Sequence, residues 1–236
     1  MKEGERMKKY DRDFLNRLRT ELDVELIGVA QVETSPSEEL KKRAARLLPT
    51  AKSVVVVGKE TYREVVSLLA PIKEVGEAEP GELLNMHAEF LNGRLNRAVH
   101  DLSTLFKKEG YRSLPLPAGV GLTDQRFFVP LLSYKHAAHL AGLGSFGRHS
   151  LLITPEFGPR ARFACVLTEA SLEATPILTK DFCKGCDACI RHCPAKAIEV
   201  PKPGESYAIN RFACRAYRQA GLVCSVCMKV CDEVLS

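Results

Sequence analysis

Cysteine spacing constrains this chain more than any other feature. Nine cysteines occur in 236 residues, and eight of them fall from Cys183 onward. The first set reads Cys183-x2-Cys186-x2-Cys189-x3-Cys193-Pro194. Three thiolates on one tight loop can hold three irons of a cubane, and the fourth cysteine, directed into a following helix, serves a second cluster. Cys214, Cys224-x2-Cys227 and Cys231 repeat the x2 and x3 steps, with the first ligand set farther upstream. The bacterial two-cluster pattern then gives Cys183, Cys186, Cys189 and Cys231 to one [4Fe-4S] cluster, and Cys193, Cys214, Cys224 and Cys227 to the other. Cys-x2-Cys pairs also build zinc sites, but a zinc site does not call for the extra x3-Cys-Pro step. Asp232 stands where the second set would carry proline. Cys165, flanked by Ala164 and Val166, reads as a small buried hydrophobe rather than a ligand.

The rest of the composition bounds the class. Hydrophobic residues make up 45% and charged residues 27%, an ordinary globular balance, and no apolar run approaches the ~20 residues of a membrane helix. The basic N-terminus carries acidic residues and no apolar h-region, so no secretory signal is read and a cytoplasmic location is expected. Cysteines in such a compartment point to metal ligation rather than disulfides. The formal charge of +5 is modest and its basic residues are scattered, which makes nucleic acid an unlikely partner.

Helix and strand signals alternate upstream. Leu15, Leu18 and Leu22 share a helical face, 26–30 reads as a buried strand, Ser37 opens an amphipathic stretch to Leu48, and Ser53–Gly58 is the clearest strand. Apolar residues from Leu83 to Leu105 recur at helical spacing, with Gly93 as the candidate break. Residues 111–116, 151–154 and 163–168 read as extended, 130–140 as helical, and 171–180 as a linker. The expected organisation is an α/β (α+β) domain over 1–177, binding a corrinoid or a partner, and a ferredoxin-like domain over 178–236.

Gly142-Leu143-Gly144-Ser145-Phe146-Gly147 fits the dinucleotide fingerprint, but that motif needs a strand before it and a helix after it. Here a helical segment precedes and a strand-like one follows. The glycines instead imply close backbone approach, to a large flat cofactor or to another chain segment.

The run from Lys135 through His136, Ala141-Gly142-Leu143-Gly144, Arg148 and His149, the Ile153-Thr154-Pro155-Glu156-Phe157-Gly158-Pro159 stretch and both cysteine sets resemble epoxyqueuosine reductases and corrinoid reductive dehalogenases. That resemblance implies a nitroreductase-like domain holding a base-off cobalamin, with electrons passing to cobalt through two [4Fe-4S] clusters. It implies cofactor-binding roles for Lys135, His139, Gly142, Gly144, Ser145, Gly147, His149 and Thr154. Arg148 falls where these families place a Lys or Arg near the substrate, with His87 and His136 as further catalytic candidates. The epoxyqueuosine reductase carboxylate falls near Phe128, with Asp124 four residues away, and the dehalogenase tyrosine falls in 85–90, where no tyrosine stands.

The expected activity is therefore that of an oxidoreductase fed by a low-potential ferredoxin or flavodoxin and acting on a small molecule. The alternative is an electron carrier or activase that docks a redox partner such as a corrinoid protein. Nicotinamide-linked reduction is a weaker third option.

Overall fold

The computed structural model describes residues 10–69, 80–119, 123–124, 126–220 and 223–236. Asp11 opens helix α1 (Arg12–Glu21) by accepting a hydrogen bond from the Phe14 amide, and Leu15 and Leu18 are its buried face. Strand β1 (Leu26–Gln31) follows, then α2 (Glu38–Leu47), capped by the Ser37 hydroxyl on the Leu40 amide. β2 (Ser53–Glu60), its Val54–Val57 run fully buried, leads to the short α3 (Arg63–Ser67) and to α4 (Pro80–Lys108). Beyond α4 come β3 (Ser113–Leu116), β4 (Thr123–Asp124), β5 (Val129–Pro130), α5 (Tyr134–Leu140), β6 (Ser145–Phe146), β7 (Leu152–Ile153) and β8 (Ala161–Thr168). The cysteine-rich segment adds α6 (Ala188–Arg191), the β9 (Ile198–Glu199) and β10 (Ala208–Ile209) hairpin, α7 (Arg211–Gln219) and α8 (Val226–Leu235).

The fold is thus mixed α/β. Its largest sheet has the order β1-β2-β8-β3. β1 and β2 run antiparallel with Val29 opposite Val55, and β3 and β8 antiparallel with Leu116 opposite Cys165. Cys165 is fully buried there, and burial raises its thiol well above the ordinary range, so it is an inert core residue as its apolar neighbours suggested.

Two compact units result, each drawn from three separate segments. The first comprises Met1–Lys59, Asn92–Leu143 and Arg162–Leu178. Its core joins Leu15 and Leu18 of α1, Val29 and Val55 of the sheet, Leu95, Val99, Leu102 and Phe106 of α4, and Leu172. The second comprises Glu60–Leu91, Gly144–Ala161 and Thr179–Ser236. One segment border thus falls after residue 178, and 60–91 and 144–161 join the cysteine-bearing unit.

Three local expectations need correction. α4 runs through Gly93 without a break. A glycine there costs about 1 kcal/mol of helix propensity, a small term beside the buried row of Leu91, Leu95, Val99 and Leu102. Pro130 lies in β5, and the helix begins only after Ser133. The first part of the supposed linker is packed structure: Leu172 is fully buried, Gln31 donates to its carbonyl, and the Thr175 amide donates to the Val29 carbonyl at 2.9 Å.

Candidate metal centre

The first cysteine loop is fastened before any thiol is considered. The Asp181 carboxylate accepts from the Cys183 amide at 2.9 Å, and the Ser145 hydroxyl accepts from the Phe182 amide at 2.9 Å while donating to Asp181. Farther along, the Asp187 carboxylate pairs with Arg148, and Arg191 donates to the Cys186 carbonyl at 2.9 Å. Asp187, in the left-handed region at φ +58°, turns the chain into α6, which carries the buried Cys189. Left-handed backbone is a conformation that aspartate tolerates better than most residues.

Cys231 comes to this loop from the far end of the sequence, on α8. Cys183, Cys186, Cys189 and Cys231 line one cleft, together with Arg148, Asp187 and Leu235. Burial, then the nearby Cys183, Cys189 and Cys186, pushes the Cys231 thiol up to about 12. Cys227 is likewise raised to about 12, by burial and then by Cys224, Cys214 and Cys193. Cys214 is on α7, Cys224 lies just before α8, Cys227 is on α8, and Cys193 follows α6. The Cys193 sulfur accepts the Ala197 amide at 3.3 Å, an amide-to-sulfur hydrogen bond of the kind that tunes cluster potentials. Cys231 thus stands by the first cysteine loop, and Cys227 has Cys224, Cys214, Cys193 and also Cys189 near it. Four soft sulfur donors around one cleft suit an iron–sulfur cluster, and metal binding would deprotonate them. Among the described residues, no three His, Cys, Asp or Glu side chains close on a position for a single ion.

The glycine-rich stretch is built for chain crossing. A Cβ on Gly142, whose φ is +70°, would lie 2.2 Å from the Pro176 carbonyl oxygen, and one on Gly144 would lie 2.3 Å from that of Ile153. Gly147 faces the ring of the buried His149, whose Nδ1 accepts from the Leu151 amide at 3.1 Å. Thr154 is buried, and its hydroxyl accepts from the Phe157 amide to close its own turn. The dinucleotide arrangement is absent here, since α5 precedes the glycines, β6 falls within the motif and the strand β7, not a helix, follows it.

The candidate groups divide between the units. Lys135, His136 and His139 lie on α5 of the first unit. His136 is exposed, yet desolvation by the surrounding protein, aided by Lys135 and His139, lowers its pKa, and its Nδ1 bonds the Ser133 hydroxyl at 2.7 Å. Asp124 is gripped by Arg126, whose hydrogen bonds and charge lower the carboxyl further and favour its ionised form. His87 is in the second unit, where its Nε2 accepts from the Tyr62 amide at 3.2 Å and its ring lies 4.7 Å from the Tyr62 ring. Arg148 belongs to the same unit as His87 and engages the cysteine loop. Sequence reasoning missed Asp181 and Asp187 as supports of that loop. Asp232, which breaks the Cys-Pro pattern, was the one visible signal of a further polar support.

The 4Fe-4S binding domain family matches residues 176–199. An epoxyqueuosine reductase of Synechococcus sp. (strain CC9605) is 44% identical over a 229-residue alignment that covers 87% of this chain and 64% of that protein. The tetrachloroethene reductive dehalogenase of Sulfurospirillum multivorans is 29% identical over a 183-residue alignment that covers 71% of this chain and 34% of that one. Among solved structures, a reductive dehalogenase described as carrying out B12-dependent dehalogenation superposes with a TM-score of 0.66 at 20% identity, covering 92% of this chain and 31% of that chain. Epoxyqueuosine reductase from Streptococcus thermophilus gives 0.61 at 15%, covering 93% and 65%. The chain therefore spans about a third of the dehalogenase and under two thirds of the Synechococcus reductase.

Fold and matched residues together define a mixed α/β protein with a 4Fe-4S binding domain. The chain is a homologue of proteins named epoxyqueuosine reductase and reductive dehalogenase, and both kinds are reductases. Among the described residues no helix is long and apolar enough to cross a membrane.

Proposed function

We propose that the chain is an iron–sulfur reductase in which two [4Fe-4S] clusters feed a base-off cobalamin held in a nitroreductase-like domain. Cys183, Cys186, Cys189 and Cys231 hold the first cluster, and Cys193, Cys214, Cys224 and Cys227 the second. The observation that carries this reading is the cleft in which Cys231 meets the three cysteines of the first loop, as a crossed two-cluster module requires. When bound, the clusters supply one-electron transfer and the corrinoid supplies the reducing metal centre. The protein's own part is to seat the thiolates, through Ser145, Asp181 and the Arg148–Asp187 pair, and to bring the substrate to the corrinoid. The Arg148 guanidinium, fixed beside the first cysteine loop, keeps a positive charge where electrons arrive. A ferredoxin or flavodoxin of low potential is the donor, and a small organic molecule the acceptor.

Anaerobic reconstitution followed by cob(II)alamin titration, read by visible absorption and electron paramagnetic resonance, tests this. About eight irons, as two cubanes require, and a base-off cobalt signal near one equivalent are expected, after which organohalides and epoxyqueuosine form the substrate screen. Two reducible clusters without corrinoid binding would instead leave an electron carrier. That second reading draws on Met86 and Phe90, 68% and 62% exposed in the cysteine-bearing unit, which suit docking of a redox partner.

A further inference from the structure

The two cysteine sets end differently. Cys193 is followed by Pro194, whereas Cys231 is followed by Asp232. α8 continues through Cys231 to Leu235, and a proline within a helix would forfeit an amide donor and clash with the preceding turn. An aspartate keeps the helix but is costly to bury without a counter-charge. Asp232 is only 6% exposed, and Arg160 only 4%. The Arg160 Nε donates to one Asp232 oxygen at 2.7 Å, and the Arg63 Nε lies 3.2 Å from the other. The Arg160 Nη1 donates to Glu60 and to the Thr61 carbonyl, the latter at 3.0 Å. Backbone bonds hold Arg160 on both sides, from its own amide to the Phe157 carbonyl and from the Thr61 amide to its carbonyl. Two arginines thus face two carboxylates, and the group is neutral.

We propose that the buried Arg160–Asp232 pair is a lock that positions the Cys231 helix and sets the reduction potential of the cluster bound there. This rests on the reading of Cys231 as a ligand of the first cluster. Asp232 is the ligand's immediate neighbour in the chain, so any charge left uncompensated beside it acts on that cluster at short range and through low dielectric. An added positive charge favours the reduced cluster, and an added negative charge disfavours it. The second cluster, ligated elsewhere, is the internal control. Arg160 and Asp232 are positioning residues, since neither is a ligand.

The test is a redox titration of the full chain, reconstituted anaerobically, with the two reduced clusters followed by electron paramagnetic resonance. Asp232→Asn keeps an acceptor oxygen for Arg160 and removes one negative charge, and it should raise the midpoint of one cluster only. Arg160→Met removes one positive charge and should lower the midpoint of the same cluster. Unchanged midpoints, equal shifts in both clusters, or shifts of the same sign in both variants would overturn the lock. If Arg160→Met fails to fold, the sign and selectivity of the Asp232→Asn shift decide alone. Cys231→Ala separates the underlying reading: two unaltered clusters in that variant would defeat the ligand assignment and the lock with it, whereas a damaged single cluster alongside unmoved midpoints in Asp232→Asn would defeat the lock alone.

Discussion

The two compact units are held together by different means. In the first, Leu95, Leu102 and Phe106 of α4 pack with Val29, Val55 and Val57 of the sheet and with Leu172, all almost fully buried. In the second, the apolar cluster of Ala188, Ile198, Val226 and Val230 is rimmed by Cys193, Cys224 and Cys227, and buried charge at Arg160 and Asp232 does part of the fastening. The first unit carries its stability in apolar burial, at roughly 25 cal/mol per Å². The second gathers thiols that gain most when a metal cluster replaces their protons. The difference teaches that one chain can specify one unit by hydrophobic periodicity and the other by ligand chemistry.

Stripping the iron anaerobically with a chelator is the strongest way to break that contrast. Hydrogen exchange should show amides of 183–235 losing protection, by about 5 kcal/mol or more if the clusters act as structural metals do, while the amides of β2 stay protected. Equal loss in both units would erase the distinction. The converse perturbation is Phe106→Ala, which should destabilise the first unit by about 3–5 kcal/mol, read from its denaturant midpoint, with the iron content of the folded protein unchanged. A smaller effect sharpens the account of the first unit. Thr50, then the Arg112 amide and guanidinium, hold the Glu169 carboxyl at about 2, below its ordinary 4.5. Because the folded value is depressed, this contribution is present above pH 4.5 and is lost as pH falls toward about 2. Glu169→Gln should therefore flatten the acid limb of the stability curve for that unit and leave neutral-pH iron binding unaltered.

Legibility followed the same division. α1, β1, α2, β2, α4 and β8 belong to periodic apolar runs, and the sequence marks each of them to within a few residues. Their caps are local too, as Asp11 and Ser37 illustrate. The assembly of the cysteine-bearing unit from 60–91, 144–161 and 179–236 depends on contacts such as Arg160 with Asp232, whose partners lie far apart along the chain and leave no periodic trace. The glycines announced close approach without saying to what, and the neighbours are the Pro176 and Ile153 carbonyls. Cysteine spacing was legible because the cluster itself imposes it. The aspartates that steady the loop, Asp181 and Asp187, look like any surface carboxylate until their backbone and arginine partners are seen.

The central claim is that the two cysteine sets exchange one ligand each, and the double variant Cys193→Ala/Cys214→Ala tests it most directly. With crossed ligation both lesions fall on one cluster, so anaerobic reconstitution should leave about four irons and one reducible cubane with an undisturbed spectrum. If both clusters are lost or altered together, the lesions have fallen on separate clusters, and the crossed arrangement is wrong.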